Sequence, residues 1–119
     1  MLATRQAINL AGTLGARLLI VNVIDEGQTA VGRRSRIDQL RSEREPAMLE
    51  IVDEARRRGV EATYLLWTGE PGRSIVAAAA SEKADLIVVG TRGLDRAGRF
   101  LLGSVSDYVV YQAGCPVLV

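Results

Sequence analysis

Short apolar-rich runs alternate with longer amphipathic segments along this chain. The apolar-rich runs predict buried strands at residues 18–23, 61–67, 86–89 and 117–119. Apolar residues that recur every three or four positions predict helices over residues 3–14, 36–58, 73–83 and 103–112. Strands that alternate with helices of this length form βαβ units, in which the strands are parallel. The pattern therefore predicts an open α/β sheet of parallel strands.

The helix periods also predict which side chains face the core. Met48, Val52 and Ala55 share one face of the second helix, and Val105 and Val109 share one face of the last. We expect both faces to pack against the sheet.

Glycine and proline predict where the elements end or bend. Gly15 is expected to end the first helix, residues 25–34 to form a polar loop, and residues 69–72 to form a turn. Pro46 lies inside the second predicted helix, although proline lacks the N–H that a helix interior needs. It either kinks that helix or marks the first turn of a shorter one.

Composition narrows the classes of protein that fit this pattern. The chain has 119 residues, of which 48% are hydrophobic, which predicts a single domain covering residues 1–119 with its own core. Its formal net charge of +1 gives no reason to expect a nucleic-acid or membrane partner. Neither a signal peptide nor a bilayer-spanning apolar run is recognisable, so we expect a cytoplasmic protein. The absence of histidine removes the commonest general base and metal ligand.

A glycine-rich segment joins the third predicted strand to the last helix. Gly90 and Gly93 follow the strand, and Gly103 and Ser104 come after nine intervening residues, at the start of the helix. Glycine lets backbone N–H groups approach a phosphate and allows positive φ, while a helix N-terminus favours anions. Ser106 adds a second hydroxyl. Ordinary turn chemistry is the alternative explanation, although the spacing of the three glycines and the serine together favours a phosphate site.

The spacing of these residues resembles the G-x2-G-x9-G-[S/T] motif of the nucleotide-binding members of the universal stress protein family. Similarity to that family extends over nearly the whole chain and includes residues 14–25, 69–71, 84–90 and 115–119. The resemblance implies a Rossmann-like open parallel sheet of the adenine nucleotide alpha hydrolase type, with helices on both faces. It also implies a homodimer joined along the last strand, Val117–Val119.

The predicted elements begin on a helix, whereas the family has a central first strand before it. Either a strand lies upstream of Met1 or the sheet is completed in another way, and we expect the first, a chain truncated at its N-terminus. About ten residues would supply that strand and its turn. The family's carboxylate-bearing turn on the adenine side belongs to the same segment.

The resemblance also implies the ligand and its contacts. The ligand would be ATP, ADP or AMP, with or without Mg²⁺. The residues that would hold the ribose and phosphates are Gly90, Gly93, Gly103, Ser104, Val105 and Ser106. Val23 and Val89 would line the adenine pocket. Arg92 and Arg99, inside the loop, either pair with the β- or γ-phosphate or are simply solvated.

Three functions are compatible with these residues. The first is an ATP-binding regulatory module of the stress response. The second is an interaction module that dimerises without a nucleotide. The third, an enzyme, is not expected beyond slow ATP hydrolysis, because no catalytic set accompanies the glycines and the Walker lysine is absent. Asp25, at the end of a strand, is a weak candidate for a place near Mg²⁺.

Overall fold

A computed structural model describes residues 2–25, 33–90 and 103–119. Helices and strands alternate throughout. Their bounds are α1 Leu2–Leu14, β1 Leu18–Asp25, α2 Arg33–Arg57, β2 Ala62–Gly69, α3 Pro71–Ser81, β3 Ile87–Val88, α4 Ser104–Gln112 and β4 Val117–Leu118. Among these residues, no helix combines the length and apolarity that crossing a membrane requires.

The strands pair in parallel, which confirms the α/β class and the Rossmann-like fold. β1 pairs with β2 from Leu18 opposite Ala62 to Asp25 opposite Gly69. β3 pairs with β4 over two positions. Within the described ranges these two pairs are not hydrogen-bonded to each other. The resemblance implied one continuous sheet. The described residues form two separate parallel pairs instead.

Helices cover both faces of the β1–β2 pair. Successive strand residues point to opposite faces, so Ala62 and Leu66 share one face and Gly69 points to the other. On the first face, α1, α2 and these strands form two buried clusters. The first cluster contains Ile8, Ala11, Val52, Ala55, Val60 and Ala62, and the second contains Ile24, Met48 and Leu66. On the opposite face, a Cβ added to Gly69 would lie 2.9 Å from Ser74 Oγ of α3.

The core positions predicted from α2 are confirmed. Met48, Val52 and Ala55 are at most 3% exposed. In α4, Val109 is fully buried but Val105 is only half-buried. α2 runs without interruption through Pro46, which excludes the alternative of a shorter helix that begins there. The packed residues on the C-terminal side of Pro46 stabilise the helix more than the lost hydrogen bond destabilises it.

The element ends differ from the sequence prediction by a few residues. Gly15 has a φ of 64° and ends α1 as predicted. β2 extends to Gly69, and α3 begins at Pro71, where a turn had been predicted. Proline suits the first turn of a helix, because its fixed φ is helical and its missing N–H needs no partner there. Most of the predicted 25–34 loop, residues 26–32, lies outside the described residues.

Candidate functional site

A cleft opens where β1 ends and where α3 and α4 begin. Its volume is about 250 Å³. The residues that line it are Asp25, Glu70, Pro71, Gly72, Ser104, Val105 and Tyr108. Asp25 is the last residue of β1 and lies opposite Gly69, the last residue of β2. Ligands of open α/β sheets bind outside the carboxyl ends of the strands, which is where this cleft lies.

Two helix N-termini face the cleft. The residues that precede α3 and α4 are Glu70 and Gly103, and neither makes a side-chain hydrogen bond to cap its helix. Helix first turns contain N–H groups without a partner inside the helix, and the helix dipole adds partial positive charge. The cleft therefore presents backbone donors to an anion from two directions, with the carboxylate-bearing residues Asp25 and Glu70 beside them.

The start of α4 holds the predicted serines in different environments. Ser104 is exposed and lines the cleft. Ser106 is only 2% exposed, and its hydroxyl donates a hydrogen bond to the Gly103 carbonyl at 3.1 Å. Ser106 is thus directed into the protein, where it stabilises the turn that carries Gly103.

The two described glycines of the motif differ in what the fold requires of them. Neither has the positive φ that glycine allows, since among the described residues only Gly15, Gly59 and Lys83 do. A Cβ on Gly90 would lie 3.2 Å from Ala3 Cβ, so glycine there permits α1 to approach closely. A Cβ on Gly103 would have one contact with the described residues, at an ordinary 3.7 Å from Ser106 Oγ. Within the described part of the chain, glycine therefore avoids a tight contact at residue 90, whereas a Cβ would fit at residue 103.

The remaining predicted residues are spread around the cleft. Val23 and Val89 are half-buried in or beside the strands, and neither lines the cleft. The Val23 carbonyl accepts a hydrogen bond from Arg44 at 3.2 Å, and the Val89 N–H donates to Leu118 at 3.0 Å. Of the predicted residues that the structure describes, the cleft brings together Asp25, Ser104 and Val105. Gly93, Arg92 and Arg99 lie outside the described residues.

Sequence reasoning missed four residues of the cleft: Glu70, Pro71, Gly72 and Tyr108. The first three follow directly after a predicted strand, a position where ligand sites occur in this class of fold. Tyr108 lies four residues after Ser104, so the helical period places them on one face. The position after a strand and the four-residue spacing of Ser104 and Tyr108 are both local signals. Neither one predicts that residues of α3 and α4 come together.

A second, larger cleft of about 550 Å³ lies between α1 and α2. Its charged side chains pair with one another, because Glu54 accepts hydrogen bonds from Arg57 at 2.7 Å and from Arg58 at 3.0 Å. The Arg57 hydrogen bond and then the Arg58 charge lower the pKa of Glu54. In the part of the chain that the structure describes, no group of three acidic or cysteine side chains converges to hold a metal ion. We therefore take the strand-end cleft as the candidate site.

Comparison with known proteins gives one consistent family. The model of the universal stress protein family matches residues 1–119. A universal stress protein of Methanocaldococcus jannaschii is 37% identical over an alignment that covers 98% of this chain and 72% of that protein.

Solved structures agree with the sequence comparison. The universal stress protein UspA from Lactobacillus plantarum has a TM-score of 0.84 and 25% identity, over 98% of this chain and 86% of that chain. A universal stress protein in complex with cAMP has a TM-score of 0.71 and 29% identity, over 98% and 82%. One from Archaeoglobus fulgidus in complex with dAMP has a TM-score of 0.71 and 25% identity, over 98% and 82%.

Proposed function

Because this chain belongs to the universal stress protein family, we propose that it is an adenine-nucleotide-binding regulatory module of the stress response. Solved relatives were crystallised with cAMP and with dAMP, which supports an adenine nucleotide as the ligand class. ATP, ADP and AMP are the nucleotides that the glycine motif implies. The module acts by binding, in the cytoplasm, and slow ATP hydrolysis is the most catalysis that we assign to it.

The observation that carries this proposal is the environment of Gly103. This residue directly precedes α4 at the cleft, its backbone has ordinary φ and ψ of −66° and 159°, and it has room for a Cβ. Among the described residues, neither backbone strain nor crowding explains a glycine there. A ligand that must approach the backbone closely does explain it, because any side chain would stand between the N–H groups and a phosphate.

The cleft fits the phosphate end of a nucleotide. Ligand pockets for whole small molecules measure roughly 300–1,000 Å³, so a cleft of about 250 Å³ matches only part of ATP. We place the phosphates at the α4 N-terminus beside Ser104 and Val105, and the adenine toward Val23 and Val89. A Mg²⁺ ion bound with the phosphates would lie nearest to Asp25, since carboxylate and phosphate oxygens are its usual ligands.

The test is calorimetric titration of the protein with Mg-ATP, AMP and cAMP, in the wild type and in Gly103→Val. We expect saturable binding by the wild type and a loss of at least about tenfold in affinity, roughly 1.4 kcal/mol, in the variant. Gly114→Val is the matched control, because a Cβ on Gly114 meets nothing within 4 Å among the described residues and Gly114 lies beyond the end of α4. Circular dichroism of all three proteins should be the same.

An absence of binding by the folded wild-type protein would contradict the nucleotide proposal. It would favour the alternative, an interaction module of the same fold that dimerises without nucleotide. If Gly103→Val and the wild type bound with equal affinity, the protein would bind a nucleotide, but not at the α4 N-terminus.

We also propose that the protein forms a homodimer along β4. Leu118 is 42% exposed and Val119 is 51% exposed, and Tyr111 at the end of α4 is 79% exposed. Apolar side chains next to a strand edge are typical of a surface that a second copy covers.

A lysine at residue 118 would place a charge in such an interface. We expect Leu118→Lys to weaken dimerisation at least about tenfold, roughly 1.4 kcal/mol, by sedimentation equilibrium. Leu49→Lys is the control, because Leu49 has a similar exposure, 44%, on α2. A wild-type monomer, or equal effects of the two variants, would refute dimerisation along β4.

A further inference from the structure

The edge of β2 that faces away from β1 has no partner strand within the described ranges, so another strand could pair there. In the described ranges this eight-residue strand pairs with β1 alone. Its sequence, ATYLLWTG, is rich in apolar and β-branched residues, and Trp67 on it is 54% exposed. Long apolar edge strands are templates on which another chain can pair, and natural proteins cover or charge them.

Arginines of α2 bind the outward-facing carbonyls of this edge. Leu18 N–H donates to the Glu61 carbonyl, so Glu61 faces β1, and strand alternation directs the carbonyls of Ala62 and Leu66 away from β1. Arg56 donates to the Ala62 carbonyl from Nε at 3.2 Å and from Nη2 at 2.9 Å. Arg41 donates from Nη1 to the Leu66 carbonyl at 3.1 Å.

Two further contacts fasten α2 along the same strand. Arg41 Nη2 donates to Thr68 Oγ1 at 3.1 Å. The Tyr64 hydroxyl donates to Glu45 at 2.6 Å, and this hydrogen bond, followed by burial, raises the pKa of Tyr64. The arginine contacts near both ends of β2 are therefore supported by a third contact at its centre.

We propose that Arg41 and Arg56 shield the outer edge of β2 against pairing with a β-strand from a second copy of this chain. An incoming strand would have to displace both guanidinium groups from the carbonyls that it needs. It would also have to desolvate two charges that cannot be neutralised near physiological pH. The shield directs self-association to other surfaces of the molecule. This inference is independent of nucleotide binding, since neither arginine lines the cleft.

The test compares Arg41→Met/Arg56→Met with Arg36→Met/Arg57→Met. Both double variants remove two positive charges from α2, but within the described residues Arg36 donates a hydrogen bond to Gln39 and Arg57 to Glu54, and neither donates one to β2. By sedimentation velocity we expect the first variant to self-associate at least tenfold more strongly than the control. Trp67, the only tryptophan, should shift its emission to the blue as protein concentration rises, because association buries it.

A third variant identifies the surface that associates. Thr63 is exposed on the same face of β2 as Trp67, so Thr63→Lys adds a charge beside the edge. In the Arg41→Met/Arg56→Met background it should reverse both the association and the emission shift. The proposal is overturned if the double variant sediments like the control. It is also overturned if the double variant associates without the Trp67 emission shift, or if Thr63→Lys does not reverse the association. If the double variant loses its helical circular dichroism, Arg41→Met and Arg56→Met are tested singly, and the proposal is overturned if neither single variant associates.

Discussion

Replacing Ile24 with alanine is expected to lower the free energy of unfolding by about 2–5 kcal/mol. Ile24 has no exposed surface and packs with Met48 and Leu66 between the sheet and α2. Alanine would remove three carbons from this cluster and leave a cavity that the β1–β2 register prevents from closing. Urea denaturation followed by circular dichroism measures the change.

The control for this loss is Leu49→Ala. Leu49 is on the same helix as Met48 but is 44% exposed, so its truncation should change stability by less than about 0.5 kcal/mol. A loss for Ile24→Ala no larger than that of Leu49→Ala would show that the second cluster is not packed as described. The denaturant slope should be the same in all three proteins, since the surface exposed on unfolding barely changes.

Replacing Gly72 with alanine is expected to destabilise the protein by about 1–3 kcal/mol, although alanine is a better helix former than glycine. Gly72 lies in the first turn of α3, buried against α4. A Cβ there would lie 2.8 Å from Tyr108 Cδ1 and 3.1 Å from Tyr108 Cβ. The second distance involves an atom next to the α4 backbone, so the ring cannot simply rotate away and the helices must separate.

Gly12→Ala is expected to stabilise the protein, the opposite of the effect of Gly72→Ala. Gly12 lies inside α1, where a Cβ would meet Val60 at an ordinary 3.7 Å, so the substitution should stabilise by about 0.5–1 kcal/mol. In the Tyr108→Ala background, adding Gly72→Ala should no longer destabilise the protein. Thermal denaturation of the wild type and the four variants measures both effects, and a stabilising Gly72→Ala would refute the close α3–α4 contact.

Local pattern was sufficient to predict the order of the elements and one face of the core. The apolar period of residues 48–55 identified the buried face of α2, and Gly15 identified the end of α1. Pro46 shows the limit of local rules, because α2 continues through it. The side chains that stabilise this helix come from β1 and β2, which are distant in the sequence, and no local propensity contains that information.

Only part of the candidate site could be predicted from the sequence. The glycine spacing indicated the α4 N-terminus, and Ser104 and Val105 do line the cleft. Ser106 could not be distinguished from Ser104 in sequence, because the burial of one and not the other depends on how α4 is rotated. The contribution of α3 was missed because the cleft forms only when Gly72 and Tyr108, which are distant in sequence, come into contact.

The core described above is unequally divided between the two faces of the β1–β2 pair. Among the described residues, both buried hydrophobic clusters belong to the side of α1 and α2, while the cleft lies at the strand ends beside α3 and α4. Regions with fewer buried apolar contacts open with smaller free energies than the core. A ligand bound in the cleft, as proposed above, would therefore act mainly on α3 and α4, while the two clusters hold α1 and α2 against the strands. Such a ligand would be signalled as a change in the α3–α4 surface.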